Sequence, residues 1–271
     1  MCITCGCSDN AETTLTNLAT GKTEVLDSSN PAPVHTHSLA NGQTVTHSHG
    51  NGHTHSHTTH STALEINVLA KNDLIAAQNR GWFEGREVLA LNLVSSPGAG
   101  KTTLLTRTIS DLRDRLTFSV IEGDQATMHD AERIRATGCP VVQVNTGTGC
   151  HLEAEMVRQG VQTLQPPRQS VLMIENVGNL VCPALFDLGE KAKVAILSVT
   201  EGDDKPLKYP HMFRASSLIL LNKIDLLPYV NFDVERCLTY ARQVNPDVEI
   251  FLVSATTGEG LEHWYSWLVE R

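Results

Sequence analysis

The run Leu91-Asn92-Leu93-Val94-Ser95-Ser96-Pro97-Gly98-Ala99-Gly100-Lys101-Thr102-Thr103 constrains this chain more than any other stretch. An apolar segment reads as a buried strand, a glycine-rich turn follows, and Thr103 to Ile109 opens a helical pattern. That strand–loop–helix order is the context a phosphate-binding loop requires. Gly98 and Gly100, on either side of Ala99, let the backbone close around an anion so that successive N–H groups point inward. Lys101 can reach the β- and γ-phosphates, and the Thr102 hydroxyl, followed by Thr103, can ligate Mg²⁺. Ser95 stands where the usual G-x-x-x-x-G-K-[ST] pattern has its first glycine. A glycine turn with a surface lysine is the plainer alternative, and the flanking strand and helix patterns speak against it. A nucleotide site is expected.

Strand and helix patterns alternate from there on. Strands read at 90–95, 117–122, 140–145, 170–176, 193–200, 218–222 and 249–254, with helices at 102–115, 129–137, 151–164, 206–213, 232–244 and 261–270. Such alternation implies an α/β fold, a three-layer arrangement with a mainly parallel sheet and helices on both faces. Ligand-binding loops then gather at the carboxyl ends of the strands. A helix from Ala63 to about residues 79–81 precedes the first strand, and Trp82 and Phe83 are placed over an edge of the core.

The chain of 271 residues suffices for one large domain plus an appendage. The expected division is a Cys/His-rich, disordered metal-binding segment at 1–62 and a nucleotide domain at 63–271. Lys+Arg is 21 against Asp+Glu 30, a net charge of -9, which argues against a nucleic-acid or acidic-membrane surface. With no bilayer-length apolar run and no apolar core of a secretory signal, the expected location is cytoplasmic. The 7 cysteines are then reduced thiols, and clusters of them point to metal before disulfides.

Cys2, Cys5 and Cys7 form such a cluster, Cys-x-x-Cys-Gly-Cys, and suit a soft or borderline ion such as Ni²⁺ or Zn²⁺. A redox dithiol is the alternative, but those motifs sit at strand–helix junctions rather than before a polar tract. Residues Ser8 to Thr62 contain no aromatic residue and are rich in Thr, Ser, Asn and Gly, so no order is expected. His35, His37, His47, His49, His53, His55, His57 and His60 fall in this tract and suit metal buffering.

Glu122-Gly123-Asp124-Gln125 follows the second strand of the alternating series. Asp124 is positioned to meet Mg²⁺ or its water, or to orient the attacking water; a turn with solvated acids is the alternative. Ile174-Glu175-Asn176-Val177-Gly178-Asn179 follows an apolar strand, so Glu175 can stand near Mg²⁺ and the Gly178 amide can sense the γ-phosphate. Base choice comes from Asn222-Lys223-Ile224-Asp225. The Asp225 carboxylate can accept from guanine N1 and N2, a donor pair adenine lacks. Asn222 supports the loop, the Lys223 stem covers the ring, and Ser254-Ala255 can offer an amide to guanine O6. GTP is expected rather than ATP. Cys150-His151 and Cys182 fall on the same sheet edge and can supply S, N and S ligands, within one chain or shared across a two-fold dimer, although small buried cysteines explain the thiols equally well. Cys139, Cys237, His129, His211 and His263 have no such setting.

Taken together, Cys2/Cys5/Cys7, the histidine tract and segments 95–103, 122–125, 145–151, 175–183, 222–225 and 254–260 resemble the hydrogenase nickel-incorporation GTPases of the HypB family, over nearly the whole chain. The resemblance implies a dimerising P-loop GTPase of the SIMIBI class with slow intrinsic, Mg²⁺-dependent hydrolysis. It implies nickel delivery to the [NiFe] hydrogenase large subunit and cooperation with a HypA-type zinc/nickel accessory protein. It also implies a nickel or zinc site at Cys150, His151 and Cys182, a tight nickel site at the terminal cysteines, and a dimer interface near Lys205 and Lys208. Three other readings are an accessory GTPase for urease or another metalloenzyme, a metal-storage protein whose GTPase controls assembly, and a P-loop kinase, which Asn222–Asp225 disfavours.

Overall fold

A computed structural model of the chain describes residues 13–26, 35–38, 44–47, 58–124 and 128–271, with side chains in 13–26, 68–124 and 128–271. Cys2, Cys5, Cys7, His49, His53, His55, His57 and Gln125 lie outside the described residues. Two short strands come first, β1 (Thr14–Asn17) and β2 (Lys22–Val25), then β3 (His35–Ser38) and β4 (Thr44–His47), which pair with each other in a two-stranded sheet. The long helix α1 (Thr58–Gly85) leads into β5 (Leu89–Ser95), α2 (Lys101–Leu112), β6 (Phe118–Asp124), α3 (His129–Arg135) and β7 (Val141–Asn145). There follow α4 (Ala154–Leu164), β8 (Val171–Glu175), α5 (Cys182–Leu185), β9 (Ala192–Ser198), α6 (Lys205–Lys208) and α7 (Pro210–Ala215). The chain ends with β10 (Leu218–Asn222), a 3₁₀ turn at Ile224–Tyr229, α8 (Val234–Val244), β11 (Glu249–Leu252) and α9 (Leu261–Val269).

Among the described residues, nine strands form one sheet in the order β11-β10-β9-β5-β8-β6-β7-β1-β2, parallel from β11 to β7. The strands are apolar on both faces because both are covered. Leu91 and Leu93 of β5 pack with residues of α2, α3 and α9 on one side. On the other side Ala90 joins a cluster with Phe83 of α1 and Val157 of α4, and Val94 one with Met212 of α7 and Ala241 of α8. Val171 to Ile174 of β8 are all buried, each stabilising the sheet by ~1.5–3 kcal/mol. The chain leaves β5 toward β6 and returns to lay β8 between them. The loop after β5 therefore opens at a topological switch point, where α/β sheets bind ligands. No helix among the described residues is long and apolar enough to cross a membrane.

Three expectations need correction. The absence of order from Ser8 to Thr62 does not hold over 13–26, 35–38, 44–47 or 58–62: β1 pairs antiparallel with β7 and with β2, so the sheet takes in residues before the expected boundary at 62/63. Leu15 and Leu18 drive this, each buried in a core cluster although the surrounding sequence is polar. The helix at 206–213 is two short ones, because Tyr209 precedes Pro210 and a residue before proline is pushed out of helical geometry. The helix read from 151 starts at Ala154, leaving Cys150 and His151 in a loop.

Gly260, which caps α9, has φ +73°, and a Cβ there would lie 1.9 Å from the Leu252 carbonyl oxygen. Gly260→Ala should therefore cost at least ~2 kcal/mol, read as a lower urea midpoint with an unchanged m-value. A midpoint equal to that of the native chain would contradict this account.

Candidate nucleotide and metal site

The loop between β5 and α2 turns through Gly98 and Gly100, both at positive φ. Gly100 is required twice over: its φ is +94°, and a Cβ would meet Asn222 Nδ2 at 2.6 Å. A cleft of about 520 Å³ opens there, lined by residues 95–103 and 122–124 with Asp130, Arg133, Val177, Gly178 and Lys223. Lys101 and Thr102 converge on one oxygen of Glu175: Lys101 Nζ donates to Oε1 at 3.0 Å and Thr102 Oγ1 at 2.6 Å. The Thr103 hydroxyl accepts from Arg133 at 3.0 Å. Gly178 lies against the loop, where a Cβ would sit 3.2 Å from Pro97 Cγ.

The strand register places a second acid beside Glu175. Glu122 of β6 is its rung partner, and Asp124 ends the same strand. Glu122 Oε2 and Glu175 Oε2 are both buried without a hydrogen-bond partner among the described residues. Carboxylate oxygens and a threonine hydroxyl are hard donors of the kind that Mg²⁺ takes. Burial, then the charges of Glu175 and Asp124, push the Glu122 carboxyl up to about 9. Glu122 was in view in the sequence only as a neighbour of Asp124; its rung pairing with Glu175 needed the sheet order.

Behind the phosphate loop lie the residues expected to read the base. Asn222 donates from Nδ2 to the Ala99 carbonyl at 2.9 Å and accepts from the Ala255 amide at 3.1 Å. Lys223, at φ +65°, donates to the Gly98 carbonyl at 2.7 Å. The Ser254 hydroxyl donates to Asp225 Oδ1 at 2.5 Å and accepts from the Thr257 amide at 3.0 Å. One carboxylate oxygen of Asp225 is thus fixed by the very loop that carries the Ala255 amide.

Cys150, His151 and Cys182 come together, with ligand atoms all within 4.8 Å of one another and every residue buried. The sulfurs lie 3.0 Å apart, and Cys150 Sγ is 3.7 Å from His151 Nδ1. Burial lowers the His151 imidazole to about 4, so it stays neutral at physiological pH, as a metal ligand must. Its ring stacks on Phe186, and Nε2 has no hydrogen-bond partner among the described residues. Two soft sulfurs and an imidazole suit Ni²⁺ or Zn²⁺.

The two sites are physically joined. Asn176, next to Glu175, accepts from the Leu152 amide at 3.1 Å and donates to Asn92 at 3.1 Å. Asn92 donates to Glu190, which pairs with Lys193, and Lys193 donates to the carbonyl of Phe186. From the far side, α1 clamps the segments that follow Cys150-His151 and Cys182. Asn72 accepts from the Ala154 amide and donates to the Asp187 carbonyl, and Asn79 donates to the Ala154 and Leu188 carbonyls. Asn72 and Asn79 carry no signal in the sequence, and Asn92 and Asn176 appear there only as members of their motifs, with no role of their own. Of the lysines assigned to an interface, Lys205 donates to Ser96 at 3.2 Å and Lys208 pairs with Asp204 at 2.8 Å.

A raised carboxyl favours the protonated folded form, so Glu122 stabilises the fold below its unfolded value of about 4.5, and that stability is lost as pH rises through about 9. Without nucleotide or divalent ion, the native chain should lose stability relative to Glu122→Gln between pH 6.5 and 8.5, by at most ~1.4 kcal/mol per pH unit. Parallel denaturation curves for the two proteins across that window would contradict it.

A profile of the family described as "CobW/HypB/UreG, nucleotide-binding domain" matches residues 89–252. Hydrogenase maturation factor HypB of Escherichia coli strain K12 is 63% identical over 205 residues, covering 76% of this chain and 71% of that protein. The protein of the same description from Cupriavidus necator is 47% identical across 99% of this chain and 88% of its own length. The crystal structure of HypB from Helicobacter pylori in complex with nickel superposes with a TM-score of 0.70, at 39% identity over 74% of this chain and 94% of that one. The chain belongs to the HypB family of hydrogenase maturation factors, P-loop GTPases of the CobW/HypB/UreG group.

Proposed function

We propose that this protein hydrolyses GTP in an Mg²⁺-dependent reaction and uses the nucleotide cycle to control nickel, delivered to a [NiFe] hydrogenase large subunit. The observation that carries the reading is the adjacency of Glu175 and Asn176: one side chain receives Lys101 and Thr102, and the next holds the amide of Leu152, beside His151. A change at the phosphates is thereby a change at the metal loop.

Lys101 and the inward amides of residues 98–102 would hold the phosphates, with Asn222, Lys223, Asp225, Ser254 and Ala255 on guanine. Thr102, Asp124 and Glu175 would hold Mg²⁺, with Glu122 added by its orphaned oxygen; the ion would neutralise phosphate charge. Asp124 and Gly178 line the cleft where the attacking water and γ-phosphate belong. Cys150, His151 and Cys182 would carry nickel or zinc as cargo. Cys2, Cys5, Cys7 and the histidine tract would hold further ions. GTP-dependent homodimerisation, a HypA-type partner and a cytoplasmic setting complete the proposal; the family assignment supports them.

Asp225→Asn should lower GDP affinity at least 100-fold. It should restore binding of xanthosine diphosphate, because the amide accepts from N1 and donates to the oxygen that replaces the guanine amine. Loss of both nucleotides alike would count against the base assignment. Lys101→Ala should abolish hydrolysis; a GTPase rate within threefold of native would sink the catalytic reading.

With Cys2, Cys5 and Cys7 changed to Ser, nickel affinity should differ at least tenfold between GDP and a non-hydrolysable GTP analogue, about 1.4 kcal/mol of coupling. Cys182→Ala should remove that nickel binding. Equal affinities in the two nucleotide states would mean that the sites are uncoupled.

A further inference from the structure

Helix α3 is fixed against the start of α2 by two apolar side chains. Ala131 and Ile134, both fully buried, share a core cluster with Leu104 and Leu105. Helical spacing puts Asp130 and Arg133, each one position earlier, together on the adjoining face. Both line the cleft above the phosphate loop. Arg133 donates from Nη1 to Asp130 Oδ1 at 3.1 Å and from Nη2 to the Thr103 hydroxyl at 3.0 Å.

Thr103 fixes which part of a bound nucleotide this arginine meets. The Leu104 amide is the first of α2 to bond back into the helix, to the Gly100 carbonyl at 2.9 Å. The amides of Lys101, Thr102 and Thr103 are therefore the ones a helix start offers to an anion. Lys101 and Thr102 serve the β- and γ-phosphate end. One residue further on, the Thr103 amide serves the phosphate nearer the nucleoside, and the guanidinium of Arg133 already touches that residue's side chain.

The charges of the cleft wall give this arginine a task. Among the described residues that line it, Glu122, Asp124 and Asp130 are acids, and Lys101, Arg133 and Lys223 are cations. Lys101 is held by Glu175 and Lys223 by the Gly98 carbonyl. Arg133 is held more loosely. Its carboxylate partner is Asp130, in a pair whose side chains are 49% and 45% exposed, and pairs so open to solvent hold weakly. A phosphate oxygen is a stronger acceptor for the planar guanidinium fork, which presents five N–H donors.

We propose that Arg133 is a nucleotide-binding residue: it exchanges Asp130 for a non-bridging oxygen of the α-phosphate, the group that GDP and GTP have in common. Asp130 thereby competes with the nucleotide for the same guanidinium. The proposal rests on the reading of this cleft as a GTP site.

Binding of GDP and of a non-hydrolysable GTP analogue is measured by calorimetry with Mg²⁺ present, for the native chain, Arg133→Met, Asp130→Asn and the double variant. Arg133→Met should raise both Kd values at least tenfold, by factors that agree within threefold. In turnover, the loss should appear in KM for GTP rather than in kcat, because the α-phosphate is held alike before and during cleavage of the γ-phosphate. Asp130→Asn should tighten both nucleotides about threefold, and that gain should vanish in the Arg133→Met background. A rise of less than threefold in Arg133→Met would overturn the proposal. So would a loss confined to the GTP analogue, which would put the guanidinium at the γ-phosphate. A gain from Asp130→Asn that persists in the double variant would show Asp130 repelling the nucleotide directly, and the exchange would fall. If Arg133→Met does not fold, Arg133→Lys decides in its place: it keeps the charge and loses the fork, so both Kd values should still rise at least threefold. A native chain that binds neither nucleotide would instead strike down the GTP reading of the cleft, and the role of Arg133 with it.

Discussion

A single carboxylate oxygen gathers the phosphate site. Glu175 is 1% exposed, and its Oε1 receives both the lysine and the threonine of the loop after β5. A buried carboxylate left without partners would cost several kcal/mol, so the ends of β5 and β8 and the start of α2 are held in one arrangement. Sheet register does the rest. Leu93 and Glu122 both lie opposite Glu175, one on each neighbouring strand, so three strand ends meet beneath one cleft. The burial of Glu122 beside Glu175 is the less comfortable part of this arrangement, and it is tolerable because one of the two can hold a proton.

The Cys150–His151–Cys182 cluster depends on this arrangement through amides rather than through charges. Asn176 bridges Leu152 and Asn92, and Asn179 donates to the Cys150 carbonyl at 3.3 Å. Behind them α1 holds the start of α4 and the 187–188 carbonyls with two buried asparagines and the Arg80–Asp187 pair at 2.7 Å. These are short, directional links that run without a break from residues 175–178 to the loop carrying His151. Chains of packed and hydrogen-bonded groups of this kind are what carry coupling between two sites.

Much of this was legible in the chain itself, because local chemistry fixed it. The phosphate loop shows in Gly98, Gly100 and Lys101, the base set in Asn222 and Asp225, and the seven parallel strands in runs of apolar residues with turn signals between. What stayed hidden depended on long-range register. Glu122 looked like half of an acidic turn until β8 was found beside β6. Cys150 and Cys182, 32 residues apart, had an equally good explanation as isolated core thiols until the fold put their sulfurs 3.0 Å apart. The strand Thr14–Asn17 was missed because two leucines in a polar tract carry little pattern; only the open edge of β7 makes them worth burying.

Asn222 spans the two halves of the nucleotide pocket, with its amide on the Ala99 carbonyl and its oxygen on the Ala255 N–H. Lys223 adds a second strut, to Gly98. The surfaces that meet phosphate and base are therefore one rigid body rather than two adjoining ones. Neither surface can shift without the other, so a nucleotide meets base and phosphate pockets already held at a fixed separation, and little ordering of these loops is left to oppose its binding.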